Sequence, residues 1–233
     1  MWTILKPVDK YPAVFDVRAL RIFVGVFAFA FPIVLPLLAG HTSLEQIQRS
    51  ISAYYHDSPR DVFVGFEVAI GVLLLAYNGR APFDMIISKL AGVLAFGVAF
   101  VPTAPQYPTA DEKTLGDIHN ICGFGLYSIL AVFCFCLLPN APRFMAKEER
   151  TVRQARRDTI YHVCGWLIVA CIVLIGISHF TSEDFKDHYK PVFFLEWIAL
   201  AAFGISWITA GQYGRLKFLV DEKDAYYLFK KHH

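Results

Sequence analysis

Six long apolar runs divide this chain of 233 residues, and they constrain its fold more than any other feature. Each run approaches the ~20 residues that an α-helix needs to cross ~30 Å of hydrocarbon. Backbone inside a bilayer must satisfy its own hydrogen bonds, and the alternation typical of β-barrel strands is absent from the sequence. We therefore expect an all-α polytopic membrane protein, a bundle of six transmembrane helices. The predicted spans are Ile22–Ala39, Val62–Tyr77, Met85–Val101, Ile118–Leu138, Ile160–Ile177 and Val192–Ala210.

The positively charged residues fall mostly on one side of such a bundle. If the six spans cross alternately, 17 of the 22 Lys and Arg residues lie on the side of the two termini, and five of the eight His residues lie on the other. Cytoplasmic loops of membrane proteins carry the excess of Lys and Arg. We therefore predict a multi-pass protein of the cell membrane with both termini in the cytoplasm. The cations expected outside are Arg49, Arg60, Lys113, Lys186 and Lys190.

The whole chain is predicted to form one unit. No internal repeat, low-complexity tract or linker divides the sequence, so residues 1–233 are expected to make a single six-helix domain. All five cysteines lie in predicted spans four and five, where they pack most simply as small apolar side chains and indicate no disulfide framework. The basic loop between these spans fits an orientation signal better than a specific lipid patch. No motif supports nucleic-acid binding.

The loop between the first two spans carries the densest polar sequence. Thr42 and Glu45 have capping-box spacing, and Leu44, Ile47 and Ile51 follow as an apolar stripe. This pattern predicts a short helix on the outer membrane surface. The polar side chains that follow would enter the mouth of the bundle, and they are Ser50, Ser52, Tyr54, Tyr55, His56, Asp57, Arg60 and Asp61.

Two glutamates lie deeper, inside predicted spans. Glu67 is ~9 Å along span two, and Glu196 lies near the same end of span six. An ionisable side chain at that depth is costly unless it faces the bundle interior or a wet cavity, so both are predicted to point inward. The alternative is that each merely hydrogen-bonds a neighbouring helix. The predicted outward-facing cavity contains Ser52, Arg60, Asp61, Glu67, His119 and Glu196.

Three histidines are predicted at a similar depth near this mouth. His119 begins span four, His179 ends span five, and His56 lies in the first outer loop. Imidazoles and a carboxylate are the ligands that a catalytic zinc uses, with an open position for water. The local spacings H-x-x-x-H and H-E-x-x-H do not occur. The only support for a zinc site of these histidines is therefore their similar predicted depth in the membrane. Histidines at an interface are also ordinary amphipathic anchors.

Short motifs distributed over the membrane core carry a resemblance. They are Ile51-Ser52-Ala53-Tyr54, Pro59-Arg60-Asp61-Val62-Phe63-Val64-Gly65, Val101-Pro102-Thr103, Ile118-His119, and Glu196 followed by Phe203-Gly204-Ile205-Ser206-Trp207. With these motifs the chain resembles a family of uncharacterised bacterial six-helix membrane proteins. It is more distantly similar to the DRAM and FGF-receptor-activating-protein families, whose eukaryotic members are implicated in lipid and GPI-anchor handling or autophagy. The positions that match best are Ser52, Asp61 and His119.

Two function classes fit these patterns. The first is a non-enzymatic protein that binds or transports a lipid or small amphiphile in an outward-opening polar cavity. The second is a metal-dependent intramembrane hydrolase in which His119, His179 and a carboxylate hold zinc, with Glu67 or Asp61 as general base. The missing metal spacing favours the first class. A purely structural subunit of a larger membrane complex is a third possibility, and membrane lipid is the expected partner.

Overall fold

A computed structural model of the chain describes residues 17–78, 82–105, 107–139 and 152–211. All regular secondary structure within these ranges is helical. Five of the helices are long and apolar enough to cross a membrane by length and composition, so the chain is a helical membrane protein in its architecture. The elements are α1 (Val17–Leu38), a 3₁₀ helix (Ser52–His56), α2 (Arg60–Ala76), α3 (Pro82–Phe100), α4 (Ala110–Val132), a π-helical continuation of α4 (Phe133–Leu137), α5 (Val152–Ser178), α6 (Glu183–Tyr189) and α7 (Pro191–Gly211).

The long helices pack in a closed ring. Each contacts the next along the chain from α1 to α5, and α7 packs between α5 and α1. Their inward side chains form one apolar core, in which large rings such as those of Phe31, Phe63 and Phe193 are fully buried. The ring order therefore brings α1 and α7, the first and last of the described helices, into direct contact.

The bundle has two ends that differ in chemistry. We call the polar end the one that contains residues 39–59, 101–105 and 179–190. The backbone N–H of Phe193 donates to the carbonyl oxygen of Arg49 over 3.0 Å, and the His56 ring bonds the carbonyl oxygen of Thr103 over 2.6 Å. These contacts join segments that are far apart in the sequence. The other end, where α2 ends and α3 begins, is called the opposite end.

An aromatic cluster fills the opposite end. The fully buried Trp207 ring lies 5.2 to 5.3 Å from the rings of Tyr77, Phe133 and Phe203, measured between centroids. Arg21 on α1 donates 2.6 Å to the Tyr77 hydroxyl and 3.0 Å to a carbonyl oxygen near the end of α7. The guanidinium therefore joins α1, α2 and α7 around the aromatic cluster.

Glycines let two helix pairs approach backbone to backbone. A Cβ atom added at Gly25 of α1 would lie 2.7 Å from the carbonyl oxygen of Gly204 on α7. At Gly92 of α3 an added Cβ would lie 2.8 Å from the carbonyl oxygen of Gly71 on α2. Small residues at such crossings are how membrane helices gain close van der Waals contact.

The segment after Thr42 differs from its prediction. Residues 41–51 form turns and bends, so the predicted surface helix is wrong. The Gln46 side-chain oxygen accepts hydrogen bonds from the backbone N–H groups of Thr42 and Ser43, at 2.9 and 3.1 Å.

Five of the described helices, rather than the predicted six, are long and apolar enough to span a membrane. Helix α2 has 17 residues and is shorter than the five spanning candidates. Segments 1–16, 140–151 and 212–233 carry most of the basic residues behind the predicted orientation, and they lie outside the described residues.

Candidate functional site

Two carboxyl groups, the buried one of Glu67 and the partly exposed one of Glu196, lie within range of each other's charge. Glu67 on α2 is only 6% exposed, and its charge interacts with that of Glu196 on α7. Phe63 and Ile70 are buried on the same face of α2, which places Glu67 toward the core. Tyr127 on α4 interacts with both carboxyl groups. The two glutamates that the sequence predicts at one depth therefore act on each other through their charges, although helices far apart in the chain contribute them.

Glu196 is tied to the loop that precedes α2. Its Oε2 accepts a hydrogen bond of 2.6 Å from the backbone N–H of Ile51. The N–H of Ser52 also interacts with this carboxylate. Both amides stand at the start of the 3₁₀ helix, where backbone donors have no acceptor within the helix. Ser52, predicted as a cavity residue, thus joins the site through its backbone.

Glu67 differs from its neighbour in its hydrogen bonding. Its Oε2 atom is buried and has no hydrogen-bond partner among the described residues. A buried polar atom without a partner costs about 1–3 kcal/mol. Such an atom in a folded protein calls for an explanation, for example a proton, an ion or a water molecule that completes the structure.

A groove of about 530 Å³ lies between α2 and the last turn of α3. Its charged residues, Arg60 and Asp61, belong to the first turn of α2, and its apolar wall continues along that helix to Val68. The groove therefore combines a charged mouth at the polar end with an apolar floor. The lining residues are Tyr55, Arg60, Asp61, Val64, Gly65, Val68, Ala99 and Phe100.

Arg60 is positioned by Tyr55 of the 3₁₀ helix. Its guanidinium carbon lies 4.5 Å from the centroid of the Tyr55 ring, and one of its nitrogens donates a hydrogen bond of 2.8 Å to the Tyr55 hydroxyl. A guanidinium carries five N–H donors, and this bond uses one of them. The groove thus presents a fixed, exposed cation beside the carboxylate of Asp61.

His119 and His56 both bind the loop that follows α3. His119 is 2% exposed, and its Nδ1 lies 2.7 Å from the carbonyl oxygen of Val101. The exposed His56 makes a similar contact with the carbonyl oxygen of Thr103, at 2.6 Å. Each ring nitrogen must donate in these contacts, since a carbonyl oxygen only accepts. The two histidines therefore fasten α4 and the 3₁₀ helix to the end of α3.

The predicted zinc ligands are not gathered into one site. His179 is exposed at the end of α5. In the part of the chain that the structure describes, no group of three His, Cys, Asp or Glu side chains is placed to hold a metal ion. The described residues thus supply no ligand set for a zinc held by His119, His179 and His56.

The predicted single cavity is divided between two faces of α2. Asp61 lines the groove, whereas Glu67 lies in the core, and the groove lining includes neither His119 nor Glu196. The cause is helical geometry: six residues turn an α-helix by about 600°, so Asp61 and Glu67 project about 120° apart. The sequence therefore predicts polar residues at one end of the bundle, but it assigns residues of the groove and residues of the core to a single cavity.

An ionic cluster at the polar end was not predicted. Arg49 donates to both carboxylate oxygens of Asp187 and, over 2.7 Å, to Glu183. The Arg49 guanidinium lowers the pKa of Asp187, and hydrogen bonds from Lys186 and then Arg49 lower the pKa of Glu183. Glu183 and Asp187 lie four positions apart and therefore share one face of α6. This spacing is the feature of the sequence that could have indicated a basic partner such as Arg49.

Tyr54 shows how closely the same loop is packed. It is fully buried, and burial raises the pKa of its hydroxyl to about 12. The hydroxyl therefore keeps its proton at neutral pH, and it lies 3.1 Å from Nδ1 of His41. The loop before α2 is thus a packed element that supports the groove.

No protein-family model, curated protein or solved structure matches the chain. The resemblance to the bacterial six-helix family and its distant relatives stays a prediction. Function is accordingly inferred from the groove.

Proposed function

We propose that this chain is a six-span protein of the cell membrane that binds a phospholipid in an outward-facing groove. The single observation that carries the proposal is the groove between α2 and α3, with its charged mouth and apolar floor. A lipid has the same division into a charged headgroup and an apolar chain. Ligand sites of this kind are mostly apolar, with a few polar groups that fix orientation.

The sixth span in this proposal is α2. It begins next to the 3₁₀ helix at the polar end, and His56 of that helix contacts the loop that follows α3. The start of α2 and the end of α3 therefore lie at one end of the bundle, and α2 must run back along α3 to reach the start of α3. At 1.5 Å per residue its 17 residues extend about 26 Å, close to the hydrocarbon thickness.

The distribution of Lys and Arg supports an outward polar end, with both termini in the cytoplasm. Cysteines introduced singly at Lys113 and Arg153 in a cysteine-free chain test this orientation by labelling of intact cells. Labelling is expected at position 113 and protection at position 153. The reverse pattern would invert the orientation and move the groove to the cytoplasmic side.

Charge complementarity specifies the headgroup. Arg60 supplies a guanidinium, which binds phosphate well, and the neighbouring Asp61 carboxylate attracts an ammonium group. A headgroup that carries phosphate and a primary amine satisfies both side chains. The apolar wall of Val64, Val68 and Phe100 then accommodates part of an acyl chain.

Gly65 offers a sharp test, because a Cβ atom there meets nothing within 4 Å and the open space belongs to the groove. Gly65→Leu should fill the groove without disturbing the backbone. The matched control is Gly123→Leu on α4, where a Cβ atom also meets nothing within 4 Å. Native mass spectrometry of protein released from nanodiscs of mixed phosphatidylethanolamine and phosphatidylglycerol measures the retained lipid.

The original chain and Gly123→Leu should retain phosphatidylethanolamine, and Gly65→Leu should lose most of it. Arg60→Ala should weaken retention of both lipids, whereas Asp61→Asn should remove the preference for the amine-bearing headgroup. The proposal fails if Gly65→Leu retains lipid as the original chain does. A structural role for the protein would then be the better interpretation.

A further inference from the structure

We propose that Glu67 and Glu196 together form a binding site for one exchangeable proton. The geometric basis is the buried carboxyl group of Glu67 on α2, one oxygen of which has no hydrogen-bond partner among the described residues. On α7 the Glu196 carboxylate is held by the N–H of Ile51, and its charge acts on Glu67. Neither the groove nor the proposed lipid binding uses this pair.

Two negative charges are not stable side by side in this place. Glu67 lies among apolar side chains of a membrane bundle, and an unpaired charge in such surroundings is strongly unfavourable. One positive charge between the two carboxyl groups removes most of this cost. It also gives the buried Oε2 of Glu67 a role, since a carboxyl O–H donates a hydrogen bond where a carboxylate cannot.

A proton fits the pair better than a metal ion. Divalent cations in proteins take six or more oxygen ligands or four N and S ligands. Within the described ranges, the carboxyl pair is not part of any group of three His, Cys, Asp or Glu side chains placed for a metal. One carboxylate oxygen of Glu196 is already engaged by the N–H of Ile51. A proton needs only the two carboxyl groups.

The surroundings of the pair contain few other titratable groups. Tyr127 from α4 interacts with both carboxyl groups, and Cys171 from α5 interacts with Tyr127. The loop contributes the backbone N–H groups of Ile51 and Ser52. No side-chain charge from α1 or α3 in the described part of the chain acts on either carboxyl group. The nearest cation on α2 itself, Arg60, is engaged with Tyr55.

The site has a mechanical connection to the groove, and this step rests on the proposed function. Glu196 fastens the start of the 3₁₀ helix through Ile51, and the same helix carries Tyr55, which lines the groove and positions Arg60. When the proton moves from a carboxyl oxygen of Glu67 to the carboxylate of Glu196, Glu67 gains the negative charge that Glu196 loses. A neutral Glu196 accepts the Ile51 hydrogen bond more weakly, which loosens the 3₁₀ helix.

Infrared difference spectroscopy of the full-length protein in nanodiscs tests the proton site without any reference to lipid binding. The pH is raised from neutral, where exposed carboxylates are already ionised, and the carbonyl band of protonated carboxyl groups is followed. The original chain should lose such a band and release one proton per chain. Glu67→Gln should abolish the titrating band, and Glu196→Gln should change the pH at which the band is lost, because the charge that acts on Glu67 is then absent. The matched control is Glu45→Gln, an exposed glutamate of the polar end, which should keep it.

Several results would overturn the proton site. They are a band that is unchanged in both variants, the absence of any band in the original chain, and displacement of the band by added Na⁺ at constant pH, which would assign the site to a metal cation. If Glu67→Gln does not fold, Glu67→Asp keeps a carboxyl group and should keep the titrating band, and Glu196→Gln still tests the pair. If the infrared experiment contradicts the proton site while lipid retention in nanodiscs is normal, only the proton site is rejected. If the titrating band behaves as expected while the chain retains no lipid, only the lipid groove is rejected.

Discussion

The two ends of the bundle are held together by different means. At the opposite end, large aromatic rings surround Trp207, and Arg21 closes the cluster. At the polar end, side chains bind backbone groups of distant segments, as Glu196 binds Ile51 and His119 binds Val101. Packing by shape tolerates little change of volume, whereas hydrogen bonds to backbone can be released one at a time.

This difference indicates where the molecule is able to move. Conformational change is expected where elements are joined by polar contacts and loops, and rigidity is expected where they interdigitate. The groove and the carboxyl pair both lie toward the polar end, while the aromatic cluster supports them from the opposite end. Four substitutions test this division, in order of decreasing expected effect.

The most damaging change should be Trp207→Ala. It empties a fully buried site between three other aromatic rings, and truncation of a buried aromatic side chain costs about 3–5 kcal/mol. The measurement is unfolding of the purified protein by dodecyl sulfate, followed by circular dichroism. Trp166→Ala is the matched control, because that side chain is 66% exposed and should matter far less. Equal losses in the two variants would contradict a rigid, packed opposite end.

Glu196→Ala should come next. It removes the charged acceptor of the Ile51 N–H and leaves that amide without its partner, at a cost of about 1.5–3 kcal/mol. Its more telling effect is local: hydrogen exchange at Ile51 and through the 3₁₀ helix should accelerate, while exchange around Trp207 is unchanged. Uniform acceleration through the whole bundle would show that the two ends do not behave separately.

Gly25→Ala tests the close crossing of α1 and α7. The added methyl group would meet the Gly204 carbonyl oxygen at 2.7 Å and a side-chain carbon of Ile208 at 2.6 Å, and overpacking of this kind costs about 1–3 kcal/mol. Gly176→Ala on α5 is the control, since a Cβ atom there meets nothing within 4 Å. Its stability should stay level or rise slightly, because Ala favours a helix more than Gly does. If Gly25→Ala is as stable as this control, α1 and α7 do not cross as closely at Gly25 as the structure shows.

The smallest effect should follow Arg49→Ala, since the ion pairs of Arg49 with Asp187 and Glu183 are exposed. Folding lowers the pKa of both carboxyl groups, so their stabilising contribution is complete above the unfolded values of 3.8 and 4.5 and is lost as the pH falls through the folded values. The original chain should therefore have a slightly higher thermal midpoint than Arg49→Ala at pH 7. The difference should vanish in acid, and a difference that grows in acid would contradict the sign of the linkage.

Much of the helical fold was predictable from the sequence, because an apolar run long enough to span a bilayer allows few alternatives. The helix starts were less predictable. Helix α4 begins at Ala110, eight residues before the predicted span, since Thr109 and Glu112 form a capping box ahead of the apolar run. Hydropathy marks the part of a helix inside the lipid, whereas hydrogen bonding decides where the helix begins.

The candidate site was only partly predictable for a related reason. Depth along a helix predicted Glu67 and Glu196 at the same level of the bundle, but depth alone does not give the direction around the helix axis. Asp61 and His119 were therefore placed with the glutamates. In the structure Asp61 lines the groove, and His119 binds the carbonyl oxygen of Val101. The bond from Ile51 to Glu196 joins residues 145 positions apart, and no local pattern reports such a contact.

That bond also sets an order of events during synthesis of the chain. The amide of Ile51 belongs to the loop before α2, whereas its acceptor belongs to α7 and is made 145 residues later. Helices α1 and α7 meet through Gly25 and Gly204, so this contact also forms only after α7 has been made. We therefore expect the ribosome-bound protein to hold an unfinished polar end until α7 is inserted. A chain that terminates before Pro191 should consequently be recognised and degraded by membrane quality control, even though five of the six ring helices are already present.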